Sequence, residues 1–128
     1  MELTLAVICL ALLQFIFMAG KVGSARTEFD VPAPKTSGPD LWERRFRVHQ
    51  NTMEMLVIFI PASLIFSVYI NDIAAAIVGV LFILSRQWYM KLYMADPESR
   101  GKGFVVGILI NGGLVLGGLV GLLMAYFK

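Results

Sequence analysis

Hydrophobic and polar positions alternate along this chain in long blocks, and four of the blocks are apolar enough to be membrane spans. The first runs from Leu3 to Gly20 with only Thr4 and Gln14 interrupting it. At about 1.5 Å per residue such a run crosses most of a hydrocarbon layer of about 30 Å. From Leu41 the chain reads LWERRFRVHQNTMEMLVIFIPASLIFSVYI, polar in its first half and apolar in its second. The third block has the opposite order, apolar over Ile73–Leu84 and then SRQWYMKLYMA. In the fourth, Phe104 to Phe127, Asn111 is the one strongly polar residue. The pattern predicts an all-α fold, a four-transmembrane-helix bundle forming a single domain over 1–128. The expected spans are about 2–24, 41–70, 72–95 and 97–127.

Turn chemistry falls between these blocks. Residues 21–40, KVGSARTEFDVPAPKTSGPD, carry three prolines and no apolar periodicity, so a polar connection is expected there, closing with Ser37, Gly38, Pro39 and Asp40. Asn71-Asp72 makes the tightest connection, and Asp96-Pro97 supplies an N-cap followed by proline at the first helical position. Pro61 removes one backbone donor inside the second span and is a candidate kink. Gly113, Gly117 and Gly121 recur at intervals of four, with Gly103 and Gly107 upstream, the spacing that lets helix backbones approach in lipid. The start, Met1-Glu2, lacks the cation of a cleaved leader, so the first block is expected to remain as a span.

Composition strengthens the membrane reading. With 58% hydrophobic and 16% charged residues and a mean hydropathy of +0.75, there is too little polar surface to clothe a soluble globule. One cysteine, Cys9, excludes an intramolecular disulfide, and a single histidine beside it makes a metal site unexpected. The cations are unevenly placed. Lys21, Arg26, Lys35, Arg44, Arg45 and Arg47 lie in or beside the first connection and Arg86, Lys91, Arg100 and Lys102 in or beside the third, while the second has none. By the positive-inside rule the first and third connections are expected in the cytoplasm. The expected location is a bacterial inner membrane, or the endoplasmic reticulum if the chain is eukaryotic. No nucleic-acid partner is expected.

Two constellations carry chemistry. Arg47, Asn51 and Glu54 stand at i, i+4 and i+7 on the polar half of the second helix, hence on one face near the membrane boundary. A forked donor, an amide and a carboxylate together suit an α-amino-acid head group; the same residues also suit an intrahelical Arg–Glu salt bridge. Arg86, Tyr89 and Tyr93 share a face of the third helix, followed by Arg100 at the start of the fourth. They are either ligand contacts or interfacial aromatic anchors and snorkelling cations. His49 lies about 200° around the helix from Arg47, so it cannot join that trio within one subunit.

Read in order, these residues resemble the membrane-associated proteins in eicosanoid and glutathione metabolism. The resemblance lies in RVHQNTMEMLVIFIP at 47–61, VGSAR at 22–26, SGPDLWERRFR at 37–47 and RQWYMKLYMADPESRGKG at 86–103, and covers essentially the whole chain. It implies a homotrimer of four-helix subunits, with glutathione as cosubstrate held between neighbouring subunits on the cytosolic side. Arg26 would bind a glutathione carboxylate; Arg47, Asn51 and Glu54 would hold the γ-glutamyl end. His49 would make a further contact from a second interface. Tyr89 and Tyr93 match aromatic ligands, Arg86 keeps the family spacing, and Arg100 falls on the catalytic arginine that faces the sulfur.

Two positions depart from the leukotriene-forming members: Thr27 follows Arg26 where a second arginine is usual, and Met55 follows Glu54 where a tyrosine is usual. The chain therefore looks closer to the microsomal glutathione transferases, including bacterial ones. The implied function is conjugation of glutathione to hydrophobic electrophiles that partition into membrane lipid, with lipid hydroperoxides as further substrates of a peroxidase activity. A non-catalytic lipid-binding or scaffold protein of the same family is the alternative. A small transporter is disfavoured, because no span carries an isolated charge at mid-membrane depth.

Overall fold

A computed structural model describes residues 1–128. It contains helices α1 (Glu2–Glu28), α2 (Asp40–Tyr69), α3 (Asp72–Ala95) and α4 (Gly101–Tyr126), with a single 3-10 turn, Pro97–Arg100, leading into α4. All four, the turn counted with α4, are long and apolar enough to cross a membrane. Only 28–39% of the residues in each apolar window are buried within the bundle, so most of the apolar surface faces outward.

The interior is built around α2 and α3, each of which packs against every other helix. Ile8 and Ala11 of α1, Met55, Leu56, Phe59 and Ala62 of α2, Phe82 of α3 and Leu114 of α4 form one apolar cluster. At its centre the rings of Phe59 and Phe82 stack with centroids 4.1 Å apart. The helix continues unbroken through Pro61, which is exposed.

The first span is longer than its hydrophobicity suggests. The helix runs on to Glu28, and the first connection shrinks to residues 29–39. The cause is tertiary: Ala25, Val31 and Trp42 pack into a small buried cluster that holds the last two turns of α1 against the start of α2. Arg26 secures the returning chain, donating to the carbonyls of Val31 at 3.2 Å and Lys35 at 2.8 Å.

The remaining boundaries follow the predicted turn chemistry. The Asn71 side chain accepts from the backbone N–H of Ala74 at 2.9 Å and caps α3. The Asp96 carboxylate accepts from Glu98 N–H at 3.0 Å, and Pro97 opens the 3-10 turn. Next to the Asn71 cap, Asp72 fastens the second connection to the start of α1. Its Oδ1 accepts from the Thr4 backbone N–H at 3.0 Å, from Thr4 Oγ1 at 2.6 Å and from Ser67 Oγ at 3.0 Å. A free N–H at a helix start is an unmet donor in lipid, and this carboxylate meets it from a neighbouring helix.

The α4 glycines divide. A Cβ at Gly103 would lie 2.7 Å from the Tyr89 Cα, and Gly118 and Gly121 face the end of α2 at Ile65 and Tyr69. Gly113, expected in the packing stripe, faces open space, and Gly118 takes part where the four-residue spacing did not mark it. The helix crossing angle, not the spacing alone, selects which glycines meet a neighbour. Gly103→Ala should therefore force α3 and α4 apart and cost about 1–3 kcal/mol. Gly113→Ala should be neutral, or stabilising by about 0.5–1 kcal/mol. Thermal unfolding of the two variants in micelles measures both; equal melting temperatures would show that α3 and α4 do not touch at Gly103.

Candidate functional site

At the membrane end that carries the first and third connections, α2, α3 and the 3-10 turn leave a cleft of about 370 Å³. It is lined by Arg47, Gln50, Asn51, Glu54, Tyr89, Tyr93 and Arg100. An adjoining space of about 490 Å³ shares Asn51, Tyr89 and Arg100 and adds Glu98, Gly101 and Phe104. Helical spacing accounts for the convergence, since residues 47, 50, 51 and 54 fall on one face of α2. The 3-10 turn brings Arg100 to the same mouth, where its guanidinium lies 5.5 Å from the Tyr93 ring and donates to the Pro97 carbonyl at 2.7 Å.

Arg47 and Glu54 do not pair with each other. Arg47 donates to Gln50 Oε1 at 3.4 Å, and the ion pairs of this region lie elsewhere, Arg44 with Asp40 at 2.6 Å and Arg45 with Glu28 at 2.8 Å. Glu54 is exposed and has no ion-pair partner. Its carboxylate lines the cleft without an internal partner and is available to a ligand cation.

Arg86 takes a different place from the one its spacing suggested. It is 0% exposed and does not line the cleft but lies behind it. Nη1 donates to Asn51 Oδ1 at 2.7 Å, Nη2 to the Gly103 carbonyl at 3.3 Å, and the guanidinium covers the Tyr89 ring at 4.5 Å. Gly107 leaves the space it occupies, since a Cβ there would meet Nη2 at 2.8 Å. An arginine only donates, so Asn51 must turn its oxygen inward and keep its NH₂ for the cleft. The lining therefore offers guanidinium and amide donors from Arg47, Arg100 and Asn51 and a carboxylate acceptor from Glu54. That is a set for a small molecule carrying both carboxylate and ammonium groups.

Two predicted site residues stand apart. Arg26 is held against the first connection, its guanidinium 5.1 Å from the Trp42 ring. His49 stacks on Phe15 of α1 at 4.4 Å, on the far face of α2 from Arg47, and its Nε2 is buried without a partner. Within one chain neither reaches the cleft. Gln50 belongs to the lining although it was not singled out, and its place one turn from Arg47 and Glu54 was a readable signal. Asn111 is a structural residue, donating to the Met55 carbonyl of α2 at 3.1 Å.

Fold and cleft together define a class: an integral, multi-pass α-helical membrane protein with an arginine-rich site at one end of the bundle. The chain belongs to the MAPEG family, whose sequence model matches residues 3–120. It is 36% identical over 114 residues to an uncharacterised protein of Synechocystis sp., covering 89% of this chain and 83% of the relative. It is 33% identical over 110 residues to microsomal glutathione S-transferase 2 of Bos taurus, covering 86% and 75%. Leukotriene C4 synthase of Rattus norvegicus is 32% identical over 80 residues, covering 62% and 53%.

The Arg86–Asn51 contact has a measurable consequence. Asn51→Leu should strand a buried guanidinium and lower stability by about 1–3 kcal/mol, and adding Arg86→Met should recover much of that loss. A double-mutant cycle read by unfolding in micelles should give a coupling of about 1.5–3 kcal/mol, the range for hydrogen bonds to charged groups. Simple additivity of the two changes would show that Asn51 does not hold the arginine.

Proposed function

We propose that this protein is a membrane-bound glutathione transferase acting on hydrophobic electrophiles that reach it through the bilayer. The observation that carries the reading is the convergence of Arg47, Asn51, Glu54, Tyr93 and Arg100 on one cleft in which Glu54 is left without an internal partner. Relatives named as glutathione S-transferases support it.

In this reading Glu54 receives the γ-glutamyl ammonium, while Arg47 and the Asn51 amide donate to the neighbouring carboxylate. Arg100 takes the sulfur. A thiol with an unperturbed pKa of about 8.5 is mostly protonated at neutral pH, and the thiolate is the nucleophile. An arginine stays charged, and this one stands at the positive end of α4, so it favours loss of the thiol proton to solvent. The thiolate then forms a bond to the electrophilic carbon, and the leaving group departs with its electron pair. With a lipid hydroperoxide, two glutathione molecules are oxidised to the disulfide while the hydroperoxide is reduced to an alcohol and water.

A homotrimer completes the proposal. Arg26 and His49 face away from their own cleft, so they serve glutathione only across an interface, from a neighbouring copy. The outward apolar surface supplies the area for such contacts. The non-catalytic scaffold reading is less well supported, because a lipid-binding scaffold has no use for Arg100 beside a full amino-acid-binding face.

Titrating the purified protein with glutathione while following thiolate absorbance in the ultraviolet tests the chemistry. Arg100→Leu should bind glutathione yet give no thiolate signal and no turnover of 1-chloro-2,4-dinitrobenzene. Glu54→Gln should lower glutathione affinity by about 2–5 kcal/mol without unfolding the protein. Normal turnover in Arg100→Leu would reduce that arginine to a surface anchor.

Orientation is a separate expectation, with the first and third connections in the cytosol where glutathione is supplied. Cysteines placed at Ser37 and Ser99 in a Cys9→Ser background should be shielded from an impermeant maleimide in intact cells, and one at Asn71 should label. Labelling of position 37 or 99 from outside would rule out cytosolic glutathione as the cosubstrate.

A further inference from the structure

A second groove opens between α1, α2 and α3 at the same membrane end, sharing no residue with the cleft. It holds about 200 Å³ and is lined by Met18 and Lys21 of α1, Arg45 and Val48 of α2, and Met90, Lys91 and Met94 of α3.

Its lining is ordered by depth. Lys21 stands about 29 Å along α1 from Glu2, and Lys91 about 29 Å along α3 from Asp72. The two starting points lie side by side, joined by the bonds from the backbone of Leu3 and Thr4 to Asp72. Both lysines are therefore one hydrocarbon thickness, about 30 Å, from the opposite boundary. Met18 sits nearly a turn deeper than Lys21, and Met18 and Val48 are each 2% exposed, so the floor of the groove is apolar and closed.

The rim is cationic and incompletely neutralised. Lys21 rests over the Phe17 ring at 5.0 Å, and neither it nor Lys91 has an ion-pair partner. Arg45 alone is paired, with Glu28 at 2.8 Å. Cations at head-group level above an apolar floor repeat, in order along the membrane normal, the polarity of an anionic amphiphile.

We propose that this groove binds an anionic phospholipid of the surrounding leaflet. Its phosphate lies among Lys21, Arg45 and Lys91, and the upper part of one acyl chain lies over Met18, Val48 and Met90. The rest of the chain follows the apolar surface that α1 and α3 expose to lipid. Methionines suit the floor because an unbranched thioether side chain adapts to chains of different shape.

The test uses the full chain in neutral-detergent micelles, titrated with phosphatidylglycerol and phosphatidylcholine of matched acyl chains and read by native mass spectrometry of the retained lipid. Phosphatidylglycerol should be retained in preference by on the order of tenfold, as expected for the two uncompensated cations near its phosphate. Lys21→Gln with Lys91→Gln should abolish the preference; both side chains are exposed, and unchanged helicity by circular dichroism confirms the fold. Met90→Trp keeps every charge and should weaken retention by filling the floor. Inorganic phosphate should not displace the lipid. Equal retention of the two lipids by the unaltered protein, a preference that survives the lysine changes, or displacement by phosphate alone would each overturn the proposal. None of these readings involves glutathione, so they stand or fall apart from the transferase assignment.

Discussion

The arrangement of this bundle depends on one buried cation. Arg86 is withdrawn from solvent within the membrane-spanning part of α3, with no carboxylate as an ion-pair partner, and its charge is met by the Asn51 oxygen, the Gly103 carbonyl and the Tyr89 ring. A guanidinium in that position is tolerable only with close partners, and two of its three nitrogens, Nη1 and Nη2, have one. Asn51 is thereby fixed in orientation, Gly107 must lack a side chain, and α2, α3 and α4 are tied together where the cleft begins. The cleft wall and the bundle interior are the same set of contacts.

The opposite end of the bundle is organised by an anion. Asp72 gathers the unmet donors of the α1 start together with the Thr4 and Ser67 hydroxyls, closing the connection that carries no cations. The two ends thus solve the same problem, polar groups at the edge of a hydrocarbon layer, with charges of opposite sign. Only the arginine end is left with excess donors and an unpaired carboxylate facing outward. That asymmetry leaves polar groups free for a ligand at one end of the bundle.

Cations at this end serve three distinct purposes set by their surroundings. Arg86 is structural and reaches the cleft only through Asn51. Arg47 and Arg100 line the cleft and are anchored by single, easily exchanged hydrogen bonds to Gln50 and Pro97. Lys21, Arg45 and Lys91 rim a separate groove on the α1 side. A count of basic residues by connection merges all of these, since it registers charge without the direction each side chain takes.

The sequence by itself determined the number and type of the helices, because a run of about 20 apolar residues has few other stable outcomes in or out of a membrane. It also determined the Asn71 and Asp96 caps, which are local backbone chemistry, and the α2 face of Arg47, Asn51 and Glu54, which is helical geometry. Tertiary structure decided the rest. The end of α1 moved to Glu28 because Ala25 packs on Trp42, a contact between residues distant in the chain. The α4 glycines that touch a neighbour were selected by how the helices cross. Arg86 and Tyr93 looked alike on a helical wheel, yet one is sealed behind the wall and the other lines it. The difference lies in whether α4 presents a glycine or leaves an opening, and no spacing within α3 contains that information.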